Sequence, residues 1–292
     1  MNVVDATVAL LDEVAAGDVR SVDADLLKRL HAMVGDGLAD CFDGVPGEFR
    51  QESAGGTYSA PRADEVAGLV DGVFAWLERE FADESRDFGR AVVRALVTHV
   101  YVLWIRPFAD GNGRAARLLE TYVLAAAGSP AVASHLLADF YAETRDEYSR
   151  QLELASRDRS LTSFIAYAVE GLRDGLKECF ETVTQAHFDA AWRSFVLDRF
   201  TAQDYRKKSV FRRRRDLMLA IPVDRSFTMA DLAQLDPDLS SRYGELSERT
   251  RRRDLAILIA AGLLVESEGV FAANTDALRT HAHAPRRDPG AT

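Results

Sequence analysis

Apolar positions recur at intervals of three and four along almost the whole chain, the spacing of a helix that buries one face. That pattern predicts amphipathic helices over residues 4–16, 22–35, 62–82, 86–104 and 112–127, the last stopping near Gly128-Ser129-Pro130. Further helices are predicted over 130–138, 140–155, 160–184 and 186–202. The stretch 44–61 breaks the period. It is rich in Gly, Ser and Pro, and its Gly55-Gly56 pair can serve as a tight turn, so a loop or short hairpin is expected there. No sustained strand alternation appears before residue 220. A boundary is expected around 203–215, followed by helices near 212–220, 229–235 and 247–262. The segment LLVESEGVFAA then predicts two short strands joined at Glu268-Gly269. This order of helices and strands is that of a winged helix-turn-helix module over 203–276, with 277–292 expected to be a disordered tail.

Charge sharpens the division. The 292 residues carry a formal net charge of -10, 47% hydrophobic and 28% charged residues, the profile of an ordinary globular chain. Residues 201–292 hold 16 Lys/Arg and 13 Asp/Glu, whereas the first 200 hold 20 and 33. An acidic body is ill suited to nonspecific DNA contact, because phosphates require Lys and Arg. Two thiols, Cys41 and Cys179, lack metal-ligand neighbours at short spacing and suit a reducing cytoplasm. The first residues carry acids early and no basic region, so no signal peptide is expected. No apolar run approaches the roughly 20 residues of a bilayer span. The expectation is a cytoplasmic protein with no membrane partner.

The most informative chemistry is the loop Arg106-Pro107-Phe108-Ala109-Asp110-Gly111-Asn112-Gly113-Arg114. Asp110, Gly111, Asn112 and Gly113 open a helix, and the glycines around Asn112 permit positive φ and leave backbone N–H groups uncovered. At the positive end of a helix dipole, such groups make a seat for phosphate. Arg114 and Arg117 lie three residues apart on one helix face, so both guanidinium groups can reach a phosphate chain. Asp110, at the edge, is placed to hold Mg²⁺. A bare Asp-Gly-Asn-Gly is more often a simple capping turn; the arginine pair and the upstream Pro107-Phe108 favour the anion site. An EF-hand loop fails because its fifth ligand position would be Arg114, and a Walker loop fails for want of Gly-Lys-Ser/Thr.

From Pro107 to Arg117 the chain resembles the Fic family signature, His-Pro-Phe-x-Asp/Glu-Gly-Asn-Gly-Arg-x-x-Arg, at every position but the first. Gly47-Glu48-Phe49-Arg50 looks like the segment that precedes the family's flap, and 137–152 resembles the helix that helps enclose adenine. The similarity covers roughly residues 20–180. It implies a mainly α fold: a Fic-type helical bundle with a short flap hairpin over 1–202, followed by the small winged-helix domain. It also implies ATP with Mg²⁺ as cofactors and AMP transfer to a protein hydroxyl, the target docking at 47–61. By the same resemblance Asp110 binds Mg²⁺, and Asn112 and Gly113 supply the anion hole beside Gly111. Arg114 holds the phosphates nearer the sugar and Arg117 the terminal one. Phe108 anchors the loop, and Tyr148 is a candidate for the adenine pocket, although Thr144 and Ser149 depart from the family's usual residues there. Homodimers are frequent in the family, and no residue here demands one.

Arg106 stands where the family keeps its general-base histidine. Imidazole titrates near neutrality, whereas a guanidinium stays protonated and cannot take the proton from a hydroxyl. His99, two turns upstream, lies about 10 Å away at roughly 1.5 Å rise per residue and reads as a packed helix residue. His31 and His135 cannot be placed from the pattern. Three readings stand: a degenerate domain that binds ATP without efficient transfer, a transferase with altered chemistry, or an introduced replacement at 106. The inhibitory Ser/Thr-x-x-x-Glu-Gly/Asn helix of many relatives has no match before residue 20 or after 180. In the C-terminal module, Ser247 is an expected N-cap, and Arg249, Arg251 and Arg252 fall where a recognition helix would meet DNA. Arg212 to Arg215 reads equally as a phosphate stripe or a salt-bridge surface. An ATP-sensing transcriptional regulator is therefore the alternative to an enzyme.

Overall fold

The structure is a computed structural model that describes residues 3–38, 42–52, 60–82, 87–201, 209–235 and 243–282. The expected turn at Gly55-Gly56 and Cys41 lie outside these residues. The chain divides into two compact units, 1–180 and 181–292.

In the first unit, α1 (Val3–Ala15), α2 (Ala24–Gly35) and α3 (Val66–Glu80) pack on one side of a central antiparallel pair, α4 (Phe88–Ile105) and α5 (Asn112–Ala126). Leu27, Leu30, Leu77, Phe108 and Leu119 are fully buried on that side. The opposite side of α4 and α5 is covered by α7 (Leu136–Glu143), α8 (Arg145–Asp158) and the first half of α9 (Thr162–Thr201), through Leu96, Val100, Tyr141, Phe164 and Ala168. The short α6 (Ala131–Ser134) links α5 to α7. Apolar residues on both faces make α4 long and apolar enough to pass for a membrane span, and burial in this core accounts for them. Asp87 caps α4 by accepting from the Gly89 N–H at 2.9 Å, and Asp23 caps α2 through the Leu26 N–H at 2.9 Å. The helix predicted over 140–155, and the single helix that the resemblance implied over 137–152, is interrupted at Thr144, which leaves the helical path and bonds Phe140 O through its hydroxyl.

Thr162–Thr201 form one helix of 40 residues where the pattern predicts two, over 160–184 and 186–202. Nothing between Thr184 and Ala186 breaks a helix. The compact units divide within this helix, at 180/181, ahead of the composition shift at 203. The physical reason is that Trp192, Phe195, Val196 and Phe200 belong to the second core.

That second core also takes Leu217 and Met218 from α10 (Ser209–Ala220) and Leu255 and Leu258 from α11 (Glu248–Ala260). A small antiparallel sheet of β1 (Phe227–Thr228), β2 (Leu264–Ser267) and β3 (Val270–Ala273), in the order β1-β3-β2, closes it. Phe227 faces Phe271 across the sheet, and Leu264 faces Ala273. The β2–β3 turn falls at Glu268-Gly269, both with positive φ, as a two-residue hairpin needs. The helix predicted at 229–235 is a 3₁₀ turn at Asp231–Ala233. The expected tail is ordered in part: α12 (Thr275–Ala282) occupies it, started by Asn274 and seated on the second core through Leu278. Residues 283–292 lie outside the described residues.

Candidate functional site

The turn between α4 and α5 is built from four local decisions. Arg106 ends α4 in the left-handed conformation, φ 47° and ψ 63°, with its N–H still bonded to Val102 O at 3.0 Å. Arg is an uncommon residue at positive φ, a mild strain at the residue of greatest interest. Phe108 then drops into the core, fully buried. Asn112 stitches the turn shut: its Oδ1 accepts from the Phe108 N–H at 2.9 Å and its Nδ2 donates to Phe108 O at 2.8 Å. Gly111 caps α5 at φ 75°, and a Cβ there would stand 2.9 Å from the Phe42 ring and 3.2 Å from His31 Nε2. Glycine is therefore required at 111 on two counts. Gly113, in contrast, is helical and has no positive φ.

The first helical bond runs from Ala115 N–H to Gly111 O at 2.9 Å, which leaves the N–H groups of Asn112, Gly113 and Arg114 at the open end of α5. The side chain of Asn112 faces inward and is consumed by the turn, so only its backbone is offered to an anion. Asp110 accepts from the Gly111 N–H through Oδ1 and pairs with Arg114 Nη2 through Oδ2 at 2.9 Å. The acid expected to hold a cation and the arginine expected to hold phosphate thus neutralise each other in this state. The Arg114 guanidinium also lies over the Phe42 ring, 5.2 Å from its centroid.

These groups open into one cleft of about 850 Å³, in the size range of small-molecule sites. Arg106, Asp110, Gly111, Asn112, Gly113, Arg114, Arg117 and Tyr148 all line it. Its far wall is Leu103 and Trp104 from α4 with Leu152, Glu153 and Ser156 from α8. An apolar and aromatic wall beside a cationic N-terminal nest fits a flat base joined to a phosphate chain. Two carboxylates line the cleft, Asp110 in the loop and Glu153 on the far wall, and no cluster of three metal-ligating side chains occurs among the described residues, which fits Mg²⁺ carried in by phosphates better than an all-protein metal cage. Phe108 does not line the cleft and acts from the core.

Three supporting side chains were not legible in the pattern. His31 on α2 lies fully buried and stacks on Phe108, with ring centroids 3.6 Å apart. Its Nδ1 accepts from the Gly47 N–H at 2.8 Å, so its proton is on Nε2 and is donated to Asp110 O at 2.9 Å. Burial pushes this imidazole below its usual value, consistent with the neutral form. Arg50 is buried and donates to Arg106 O at 2.7 Å, Glu52 O at 2.8 Å and Pro61 O at 2.5 Å, while its own N–H donates to Pro107 O at 2.9 Å. It ties both ends of the 52–61 span to the loop. Glu120, inside the apolar run Leu118-Leu119-Glu120-Thr121-Tyr122, is buried beside His99. A lone acid in a buried stripe was the available signal for it.

In the second unit, Arg213 Nη2 and Arg214 Nε grip Asp254 at 2.6 and 2.8 Å, so these members of the arginine run are structural. Of the arginines singled out for DNA, Arg251 donates to Leu246 O at 3.0 Å and Arg252 pairs with Glu248 at 2.7 Å. Arg249 and Arg253 are exposed and pair with no described residue.

Residues 21–124 match the family model described as Fic/DOC family, and this segment is a Fic/DOC domain. Over 107 residues the chain is 33% identical to "Protein adenylyltransferase fic-1" of Caenorhabditis briggsae, covering 37% of this chain and 18% of that protein. Over 168 residues it is 29% identical to "Protein adenylyltransferase Fic" of Drosophila willistoni, covering 53% of this chain and 31% of that one. The chain thus spans less than a third of the length of either relative. The crystal structure of a Fic family protein from Desulfovibrio desulfuricans G20 superposes with a TM-score of 0.52 at 21% identity, over 93% of this chain and 74% of that chain. That likeness supports the mainly helical Fic-type fold.

Proposed function

We propose that the Fic/DOC domain binds Mg-ATP over the 110–114 loop and that its family activity, transfer of AMP to a protein hydroxyl, is impaired in this chain. The observation that carries the reading is the cleft itself. Arg114, Arg117 and the free N–H groups of α5 converge on one anion seat beside an apolar wall, with Arg106 at its rim. Phosphate oxygens entering the nest displace Arg114 from Asp110, which frees the carboxylate for Mg²⁺. When bound, the cation neutralises phosphate charge. Asn112 keeps the loop rigid, and Arg114 and Arg117 hold the phosphate chain.

In transfer, a target hydroxyl attacks the α-phosphorus, pyrophosphate leaves, and the hydroxyl proton needs an acceptor. Arg106 offers none, being always protonated. Its cation instead adds to the binding of the phosphates. A general base typically contributes about 10²- to 10⁴-fold. Incubation with labelled ATP and cell lysate, comparing the natural chain with Arg106→His, tests this: the variant is expected to label targets at least about 10²-fold faster. Equal labelling by both would sink the impaired-enzyme reading. The target is proposed to dock at 47–61, in the cytoplasm.

A second reading concerns the C-terminal unit. The helices, the sheet order and the β2–β3 hairpin support a winged helix-turn-helix. Exposed Arg249 and Arg253 on the first turns of α11 favour DNA as its partner, with the Fic/DOC domain as an ATP sensor.

A further inference from the structure

The cleft has a polar floor that phosphate binding alone does not explain. Tyr148 lines it beside Arg117, and its hydroxyl lies 2.9 Å from His99 Nε2 and in hydrogen-bonding reach of the Arg117 side chain. His99 is fully buried, with Nδ1 3.3 Å from Glu120 Oε2, close but poorly aligned. Glu120 Oε1 accepts from the Tyr141 hydroxyl at 3.1 Å.

Donor and acceptor capacities give this chain one direction. A guanidinium only donates, so the Tyr148 oxygen accepts from Arg117; the Glu120 carboxylate beside Nδ1 favours the imidazole tautomer protonated there, and Nε2 then accepts from the Tyr148 hydroxyl. His99 therefore carries its proton on Nδ1, facing Glu120, whose other oxygen accepts from Tyr141. The His99 Nδ1 proton faces Glu120 Oε2 at 3.3 Å without the alignment of a hydrogen bond, and the chain ends on a buried carboxylate. Burial pushes the Tyr148 phenol well up, so the hydroxyl keeps its proton at neutral pH. Arginine loses considerable rotamer freedom when a ligand fixes it; a partner that fixes it beforehand removes that penalty from binding.

We propose that Tyr148 is a positioning residue, held by His99 and Glu120, that presents Arg117 to the distal phosphate and so makes the cleft selective for nucleoside triphosphates over monophosphates. This rests on the nucleotide reading above and replaces the adenine contact that resemblance suggested for Tyr148.

The test is calorimetric titration of the full chain with ATP and with AMP, each with Mg²⁺, for the natural protein, Tyr148→Phe, Arg117→Ala and the double variant. The ring stays in Tyr148→Phe and only the hydroxyl is lost. ATP affinity is expected to fall about tenfold, the size of one charge-assisted hydrogen bond, with AMP affinity changed less than about twofold. Retained AMP binding reports an intact cleft. In the Arg117→Ala background the second change should add nothing, because the group it positions is gone. Unchanged ATP affinity in Tyr148→Phe, or equal loss of ATP and AMP, overturns the proposal while leaving the nucleotide reading intact. A natural protein that binds neither nucleotide overturns both.

Discussion

His31 holds two backbone segments at once, and its ring nitrogens do opposite work. Nδ1 must accept from Gly47, and Nε2–H must donate to Asp110 O. Only the neutral ring satisfies both. Asp110 pulls its proton affinity up and Arg114 pulls it down, but burial dominates and lowers it below the ordinary 6.5. The unfolded chain therefore takes up the proton first as pH falls. The stability that neutral His31 contributes is fully present above about 6.5 and is lost as pH drops from there toward the folded-state value. Thermal melts between about pH 7.5 and pH 5.5 should show the natural chain losing more stability than His31→Gln over that interval. Parallel melting curves would refute the assignment. His31 falls within the helix predicted over 22–35, but its role could not be placed from the pattern, because both its partners lie in loops distant along the chain.

Among the elements, the pairing of α10 with α11 shows where a linear pattern stops. Four consecutive arginines look like a surface, yet Arg213 and Arg214 turn inward onto Asp254, which is fully buried. Asp254→Asn would leave two largely covered guanidinium groups without their counter-charge. The expected loss is about 3–5 kcal/mol in the C-terminal unit, read as a lowered urea midpoint; a change below about 1 kcal/mol would contradict the buried pairing. The partner lies forty residues away, and no local rule joins the two. Local rules did succeed where chemistry is local: Ser247 caps α11, Asp110-Gly111-Asn112-Gly113 opens α5, and Glu268-Gly269 turns the hairpin. The order in residues 275–282 was missed despite a usable signal, since Asn274 ahead of Thr275-Asp276 is a plausible helix start. The helix over 162–201 was expected as two, although no residue near 185 disrupts a helix. The site followed the same division. The loop and its arginines were legible as a motif, whereas Arg50, His31 and the His99–Glu120 floor arise only when distant helices meet.

For the whole molecule, charge asymmetry translates into a test of the second reading. The segment 201–292 carries the basic excess, but much of it is paired within the unit; on α11 Arg249, Arg252 and Arg253 are exposed, and of these Arg249 and Arg253 pair with no described residue. Gel shifts with genomic DNA fragments should weaken on Arg249→Ala plus Arg253→Ala, and the slope of log affinity against log salt should fall by about 0.9 per lost phosphate contact. Undiminished binding by the double variant would exclude α11 as the DNA-reading element. At the same scale, Arg50 has a consequence for how such a domain diversifies. One guanidinium fastens the departure of the 52–61 span, its return and the Arg106 carbonyl together. The two ends of the span, Glu52 and Pro61, are thereby held in fixed relation to the Arg106 carbonyl. Lengthening a loop whose ends are already fastened adds only about 0.6 kcal/mol per doubling. Under the docking proposed for 47–61, the sequence between these two fastened ends can change while the seat built by Arg106 to Arg117 stays constant, so one fastener would let two properties of the domain evolve separately.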